Sequence, residues 1–378
     1  MTLAPARAAG AAAALALVVA ACGGGGDDAA DTTTTSEEST TTTSTTTTST
    51  TTTSSTTTTT TIPEPEEPVA RQPLTGEPLD SEDDLEERPA LAVKIDNAPP
   101  GRPNQSGFSE ADLVFEEIVE GGFTRFAAVF HTQDADPIGP IRSGRTQDVD
   151  LLASLNQPLF GWSGGNAGVT RIIRDAETLT DLNWQNNVGS YSRGPGPAPN
   201  NLYSSTERLY ELTPEDHPGA PAQQFGYVLP GDDFGGQSVV EVDIDMASID
   251  VQWTWNDDDE VWERSQEGDP HEEGDGDRIT SVNIVVMAVE YRPSAVDATS
   301  PEAQTTGEGT VYVFSDGGLI EGKWSREEAT EPIALVDLEG EPILLTPGRT
   351  WIELADVDDA PDDSEAPIPI DIDFGDEA

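Results

Sequence analysis

Residues able to do chemistry are few in this chain, and most cluster in its middle third. Arg142-Ser143-Gly144-Arg145 puts two guanidinium groups just ahead of an expected helix from Thr146 to Leu155. Guanidinium forks match phosphate or carboxylate geometry, and the start of a helix favours negative charge. The competing use of these arginines is pairing with Asp148 and Asp150. A second group is the carboxylates Glu116 and Glu120 with Arg125, on two strands flanking Gly121-Gly122. If the two glycines form a two-residue turn, Glu116, Glu120 and Arg125 share one sheet face and Arg125 lies between the carboxylates. Leu113, Phe115, Val119, Phe126 and Phe130 then share the apolar face. Glu117 falls among them, where an unpaired carboxylate would be costly or strongly shifted in pKa. Glu116 and Glu120 are four residues apart, or ~13 Å along a strand. That exceeds the separations of about 5–9.5 Å that glycoside hydrolysis uses. An acid–base pair would therefore need a partner from another strand, such as Asp96.

Gly161-Trp162-Ser163-Gly164-Gly165 matches the nucleophile-elbow pattern G-x-S-x-G, between an expected strand (158–162) and an expected helix (169–176). Its triad would draw on His217 and Asp181, but a domain of this size is small for a hydrolase sheet of that kind. The same glycine loop lacks the Lys-Ser/Thr of a phosphate-binding P-loop. Cys22 is the only cysteine, which excludes internal disulfides and Cys-based zinc sites. His131, His217 and His271 show no ligand spacing. The acidic runs Asp257–Asp259 and His271–Asp277 lack the spacing of a calcium loop and read as solvated loops. No cofactor and no metal are expected.

The elements that must position these residues follow from pattern. Ala90–Asp96 reads as a buried strand ending in the loop 97–103, so Asp96 and Asn97 stand at a strand end near the arginines. Ser204, with Glu207 three residues on, reads as the cap of a short helix. From residue 238 strand signals dominate: 238–246, 252–255, 261–264, 279–291, 310–314, 319–324, 332–338, 342–345 and 350–354, with tight turns between. The expected fold class is α+β: an N-terminal mixed α/β domain at 88–230, then a mainly antiparallel β domain at 231–355.

The remaining segments read as delivery and tethering. Arg7 and the apolar run 11–20 precede Val19-Ala20-Ala21-Cys22, the pattern of a lipoprotein signal at 1–21 with lipid attached to Cys22. Residues 22–87 read as a disordered Thr/Ser/Pro-rich stalk, almost pure Thr and Ser at 31–61. Residues 356–378 read as an acidic disordered tail. The net charge is -54, and it is uneven: residues 88–230 carry 10 basic and 17 acidic residues, residues 231–378 carry 6 and 40. Such a surface repels nucleic acid. The expected location is the outer face of the bacterial cell membrane, with the membrane as partner through Cys22 and a cell-wall polymer or envelope protein as the further partner.

Lys94-Ile95-Asp96-Asn97 with Arg102-Pro103, Ser109 to Asp112, Glu120 to Phe126, Ile138 to Arg145 and Asn201-Leu202-Tyr203 together resemble the YerB-like lipoprotein family. Gly322-Lys323-Trp324 and Pro347-Gly348-Arg349-Thr350-Trp351 resemble that family's C-terminal domain. The resemblance covers about residues 73–355 in order. It implies two domains and an envelope location, and it supplies no catalytic mechanism. The family's Gly-rich segment has Ser after the paired glycines, where this chain has Asn166; Ser163 precedes them, which weakens it as a nucleophile.

Three functions fit the residues. The first is an envelope binding module holding an anionic or sugar-phosphate wall ligand through Arg125, Arg142 and Arg145, with Ser143, Asp96, Asn97, Glu116 and Glu120 around it. The second is an enzyme on wall polymers using Asp96, Glu116 or Glu120 as acid and base. The third is a scaffold for envelope proteins.

Overall fold

In the computed structural model, residues 67–360 and 366–375 are described. The expected signal peptide, Cys22 and most of the stalk lie outside the described residues. Alternating and continuous apolar runs build strands here far more than helices. The fold is mainly β, with three short α-helices among the described residues: Gln147–Leu151, Ala167–Asp175 and Thr206–Tyr210. The helix expected over Thr146–Leu155 is shorter than anticipated, because its first turn ends at Leu152 and a 3-10 turn, Ala153–Leu155, follows. Ser205, not Ser204, caps the third helix by accepting the Arg208 N–H.

One sheet of eleven strands organises the molecule. From one edge its order is Gln237–Ser238, Gly318–Arg326, Gly307–Ser315, Asn283–Val289, Thr350–Asp356, Leu113–Ile118, Thr124–Phe130, Leu91–Asp96, Leu159–Gly161 and Thr180–Asp181; Ala334–Asp337 also pairs with Gly318–Arg326. Its centre is parallel: Thr350–Asp356 lies between Asn283–Val289 and Leu113–Ile118, with Glu353 beside Glu116. The strands of the last third are therefore shared out. Some continue the sheet begun by residues 91–130. Others, Glu241–Met246, Ile249–Asn256 and Val261–Gln266, belong to a second, six-stranded sheet. That sheet packs Val242, Ile244, Trp253 and Trp262 with Ile95, Phe126, Ile284 and Trp351 in one buried cluster. A second cluster unites Ala92, Phe115, Ala127 and Ile352 with Leu151, Trp162 and Ile173 of the helical side. Large sheets buried on both faces read as nearly continuous apolar runs, which is why Leu91–Asp96 and Asn283–Val289 show little alternation.

Two segments expected to be disordered contribute to the fold. Within the stalk's last part, Ala70–Arg71 pairs with Pro78–Leu79, and Leu74 is fully buried. In the acidic tail, Ile370–Asp373 pairs with Glu241–Ile244 as an added strand of the second sheet. The isoleucines at 368, 370 and 372 supply apolar side chains that pack on its core. The described residues, 67–360 and 366–375, belong to one compact unit.

The motif residues near the C-terminus act as joints. Arg349 donates to the Ser109 carbonyl (2.6 Å) and the Thr280 hydroxyl (2.9 Å), tying the loop ahead of Leu113–Ile118 to Thr280–Ser281 of the second sheet. Trp324 donates its indole N–H to the Ala288 carbonyl at 2.9 Å, directly beside Gly309.

Candidate arginine site

Asp96 ends the strand Leu91–Asp96 directly opposite Arg125. Leu159–Gly161 accompanies this strand only as far as Val93. Pro140–Arg142 then takes its place: the Asp96 N–H donates to the Pro140 carbonyl and the Arg142 N–H to the Lys94 carbonyl, each at 2.9 Å. This short extension delivers Arg142 to Asp96, with Nε 3.3 Å from Oδ1. The other Asp96 oxygen accepts from the Asn200 side chain, and the Ala98 N–H donates to Oδ1 at 3.3 Å. Gly101 presses on the same carboxylate; a Cβ there would stand 2.5 Å from Oδ2.

Arg145 binds Glu120 through Nε (3.0 Å) and Nη2, and donates from Nη1 to the Gly144 carbonyl at 2.8 Å. The Ser143 carbonyl accepts from both Arg145 and Arg125, at 3.3 Å each. Ser143 therefore contributes its backbone to the arginines. Its hydroxyl lies against Gly164, where a Cβ would approach it to 2.7 Å, so the glycine loop and the arginine loop are in contact. Three guanidinium groups thus converge with two carboxylates, Asp96 and Glu120. Burial, then the charges of Arg145 and Arg142, push the Arg125 pKa down to about 10, although Asp96 and Glu120 oppose the shift. Burial alone would raise Glu120, but the Arg145 hydrogen bond and charge outweigh it and hold it below the usual carboxylate range. A concentration of like charge this close is held at an energetic cost that an added anion would relieve.

Six of the eight residues expected in the site are gathered here: Asp96, Glu120, Arg125, Arg142, Ser143 and Arg145. Asn97 and Glu116 are not. The Gly121-Gly122 loop is longer than a two-residue turn: Glu120–Gly122 is a 3-10 turn, Val119 N–H bonds the Phe123 carbonyl, and Ile118 stands opposite Thr124. The register slips by one residue, so Glu117, not Ile118, faces Arg125, and Glu116 turns to the opposite face. Phe115 and Leu113 share a cluster with Ala127, while Phe126 and Phe130 join the other cluster. Glu117 is paired, with Lys94.

Glu116 and Asn97 belong to a buried polar network between the two sheets. Glu116 accepts from Arg264 at 2.7 Å and from Thr124 at 2.6 Å. Arg264 also donates to Gln266 at 3.0 Å and to His271 Nδ1, and His271 Nε2–H bonds Gln105 at 2.7 Å. Asn97 donates to Thr124 and Gln266 at 2.7 and 2.9 Å. Burial and the negative charge of Glu116 drive the Glu353 pKa far up, so Glu353 is the protonated partner of this carboxyl pair. Glu116 and Glu353 are 0% exposed and held by Arg264 and Trp253, so this pair has no approach for a substrate. His271 is part of this network and not of a solvated acidic loop; the sequence carried no signal for it beyond its type.

The nucleophile-elbow reading fails on geometry. The strand–turn–helix context is present, with Leu159–Gly161 before the loop and Ala167–Asp175 after it. His217, however, bonds the Gln157 carbonyl and the Gly219 N–H, and Asp181 accepts from the Trp162 indole and the Asn183 N–H. Neither is hydrogen-bonded to Ser163. Asn166 caps the helix through Gly168 and Val169.

The chain matches two models of one family, described as the N-terminal and C-terminal domains of a protein of unknown function (DUF3048), over residues 74–219 and 240–352. Putative lipoprotein YerB of Bacillus subtilis (strain 168) is 27% identical over 308 residues, covering 75% of this chain and 86% of that protein. The crystal structure of YerB from Bacillus subtilis superposes with a TM-score of 0.64 at 24% identity, over 75% of this chain and 96% of that one, so the two share a fold.

Proposed function

Because this chain belongs to the YerB-like DUF3048 family, with both domains in order, we propose that it is an exported lipoprotein whose arginine site binds an anionic ligand of the cell envelope. The observation that carries the reading is the convergence of Arg125, Arg142 and Arg145 around the carboxylates of Asp96 and Glu120, in a chain of net charge -54. Nothing in the bulk charge favours such a cluster; a local function does. A phosphate or carboxylate on a wall polymer has the size and charge to meet Arg142, whose side chain keeps 20% of its surface open.

Thermal unfolding of residues 62–378 with a panel of phosphorylated and carboxylated wall fragments tests this. A ligand at 100 times its Kd should stabilise the protein by ~2.7 kcal/mol. Arg142→Ala should abolish that gain; the unliganded variant measures separately the cost of leaving the buried Asp96 carboxylate to Asn200 and the Ala98 N–H alone. An equal shift in both proteins, or none with any anion, sinks the arginine-site reading.

Export and anchoring rest on the signal pattern ending at Cys22 and on the relative's description as a lipoprotein. Cys22→Ala should move the chain out of the membrane fraction, since it removes the thiol that would carry the lipid. Retention of the variant in washed membranes would overturn the anchoring.

A further inference from the structure

Lys94 is the one fully buried lysine among the described residues, and its surroundings are those of a reaction as much as of an ion pair. It sits mid-strand in Leu91–Asp96, with Glu117 from Leu113–Ile118 and Asp148 from the helix Gln147–Leu151; all three side chains are 0% exposed. Nζ is 2.7 Å from Asp148 Oδ1 and hydrogen-bonds Glu117 Oε1. The second oxygen of Asp148 accepts the Arg145 backbone N–H at 2.6 Å. The second oxygen of Glu117 is buried with no hydrogen-bond partner. Ala92, Phe115, Ala127, Leu151 and Trp162 form the apolar cluster on this face, and Asp96 and Arg125 lie one step further along it.

We propose that Lys94 and Asp148 condense spontaneously into an intramolecular amide, with Glu117 carrying the protons. In the reaction Nζ passes one proton to Asp148 Oδ1 along their 2.7 Å hydrogen bond, leaving the amine and the acid side by side. Burial and the Asp148 charge, resisted by Lys94, raise Glu117 to about 7, so it holds a proton near neutrality. The amine lone pair then attacks Cγ of Asp148, forming the Nζ–Cγ bond. The oxygen facing the Arg145 N–H takes the developing negative charge. Glu117 accepts the Nζ proton on Oε1, its hydrogen-bond partner, and the proton it already holds passes to the Asp148 hydroxyl, which leaves as water. Amine and acid become amide and water, Glu117 returns to its starting state, and no oxidant or co-reactant is consumed. Fixed neighbours in a dry site supply the effective concentration that such a condensation lacks in water. The bond ties the loop bearing Arg142 and Arg145 to the strand bearing Asp96.

The test is peptide mapping by mass spectrometry of the full chain, purified from membranes in detergent, denatured and digested with trypsin. The expected result is no cleavage after Lys94, and a peptide containing Lys94 joined to the peptide containing Asp148, lighter than their sum by one water. Lys94→Met and Glu117→Gln should each give unjoined peptides at full mass. Cleavage after Lys94 in the wild-type chain, with both peptides separate, overturns the proposal, as does a link mapped to Glu117. The wild-type digest decides alone, even where a variant fails to fold.

Discussion

Arg264→Ala is expected to destabilise the protein by ~3–5 kcal/mol, the cost of leaving a buried charge without its partner. Arg264 is fully buried, and its guanidinium lies 5.2–5.8 Å from the ring centres of Trp351, Phe126 and Trp253. Its ion pair with Glu116 at 2.7 Å is the only salt bridge that carboxylate makes among the described residues, and Glu353 beside it is held protonated. Truncation strands Glu116 and empties a space between three aromatic rings. The Arg264→Met, Glu116→Gln double variant removes both charges while keeping most of the volume, and should cost markedly less than Arg264→Ala alone. Urea titrations of the three proteins measure this. A loss under about 1 kcal/mol for Arg264→Ala would mean that water reaches Glu116, contrary to its burial.

Trp351→Ala should cost a similar ~3–5 kcal/mol, and the shape of its unfolding curve is as informative as its midpoint. Trp351 packs on Phe108, Phe126 and Trp253 with ring centres 5.3–5.6 Å apart. It also lies on Thr350–Asp356, the strand that joins residues 113–118 to residues 283–289. Damage there reaches both family domains at once. Circular dichroism and tryptophan fluorescence should therefore report one coincident transition in wild type and variant alike. Two separated transitions, with only the second lowered by the substitution, would show that the domains unfold independently.

The arginine site was largely legible because its signal is local. Arg142 and Arg145 lie in one loop, and Asp96 and Arg125 lie near the ends of strands whose apolar runs are plain. Glu116 and Asn97 were misassigned for a reason that local reading does not reach. The Gly121-Gly122 loop is held by the second sheet: the Ser248 N–H donates to the Gly122 carbonyl at 3.0 Å, and a Cβ on Gly122, at φ +75°, would stand 2.2 Å from the Ser248 hydroxyl. That contact favours a longer turn, and one residue of register exchanges the faces. The allocation of the later strands was also hidden. Glu241–Met246 and Thr350–Asp356 both read simply as strands, but only their partners decide which sheet each enters. The strand Ile370–Asp373 escaped notice because its aspartates dominate its composition, while the alternate isoleucines are what pack.

The parallel seam between Leu113–Ile118 and Thr350–Asp356 also sets a timetable. Pairings between distant parts of a chain pay their loop-closure entropy before they are rewarded, and they form late. The sheet's middle strand, Thr350–Asp356, follows its partner Leu113–Ile118 by more than two hundred residues, so early folding of the first strands cannot complete the centre. During that interval Leu113–Ile118 presents a bare apolar edge, the kind of edge that recruits other chains. The stage before Thr350–Asp356 arrives, rather than the finished fold, is then when this protein most needs protection.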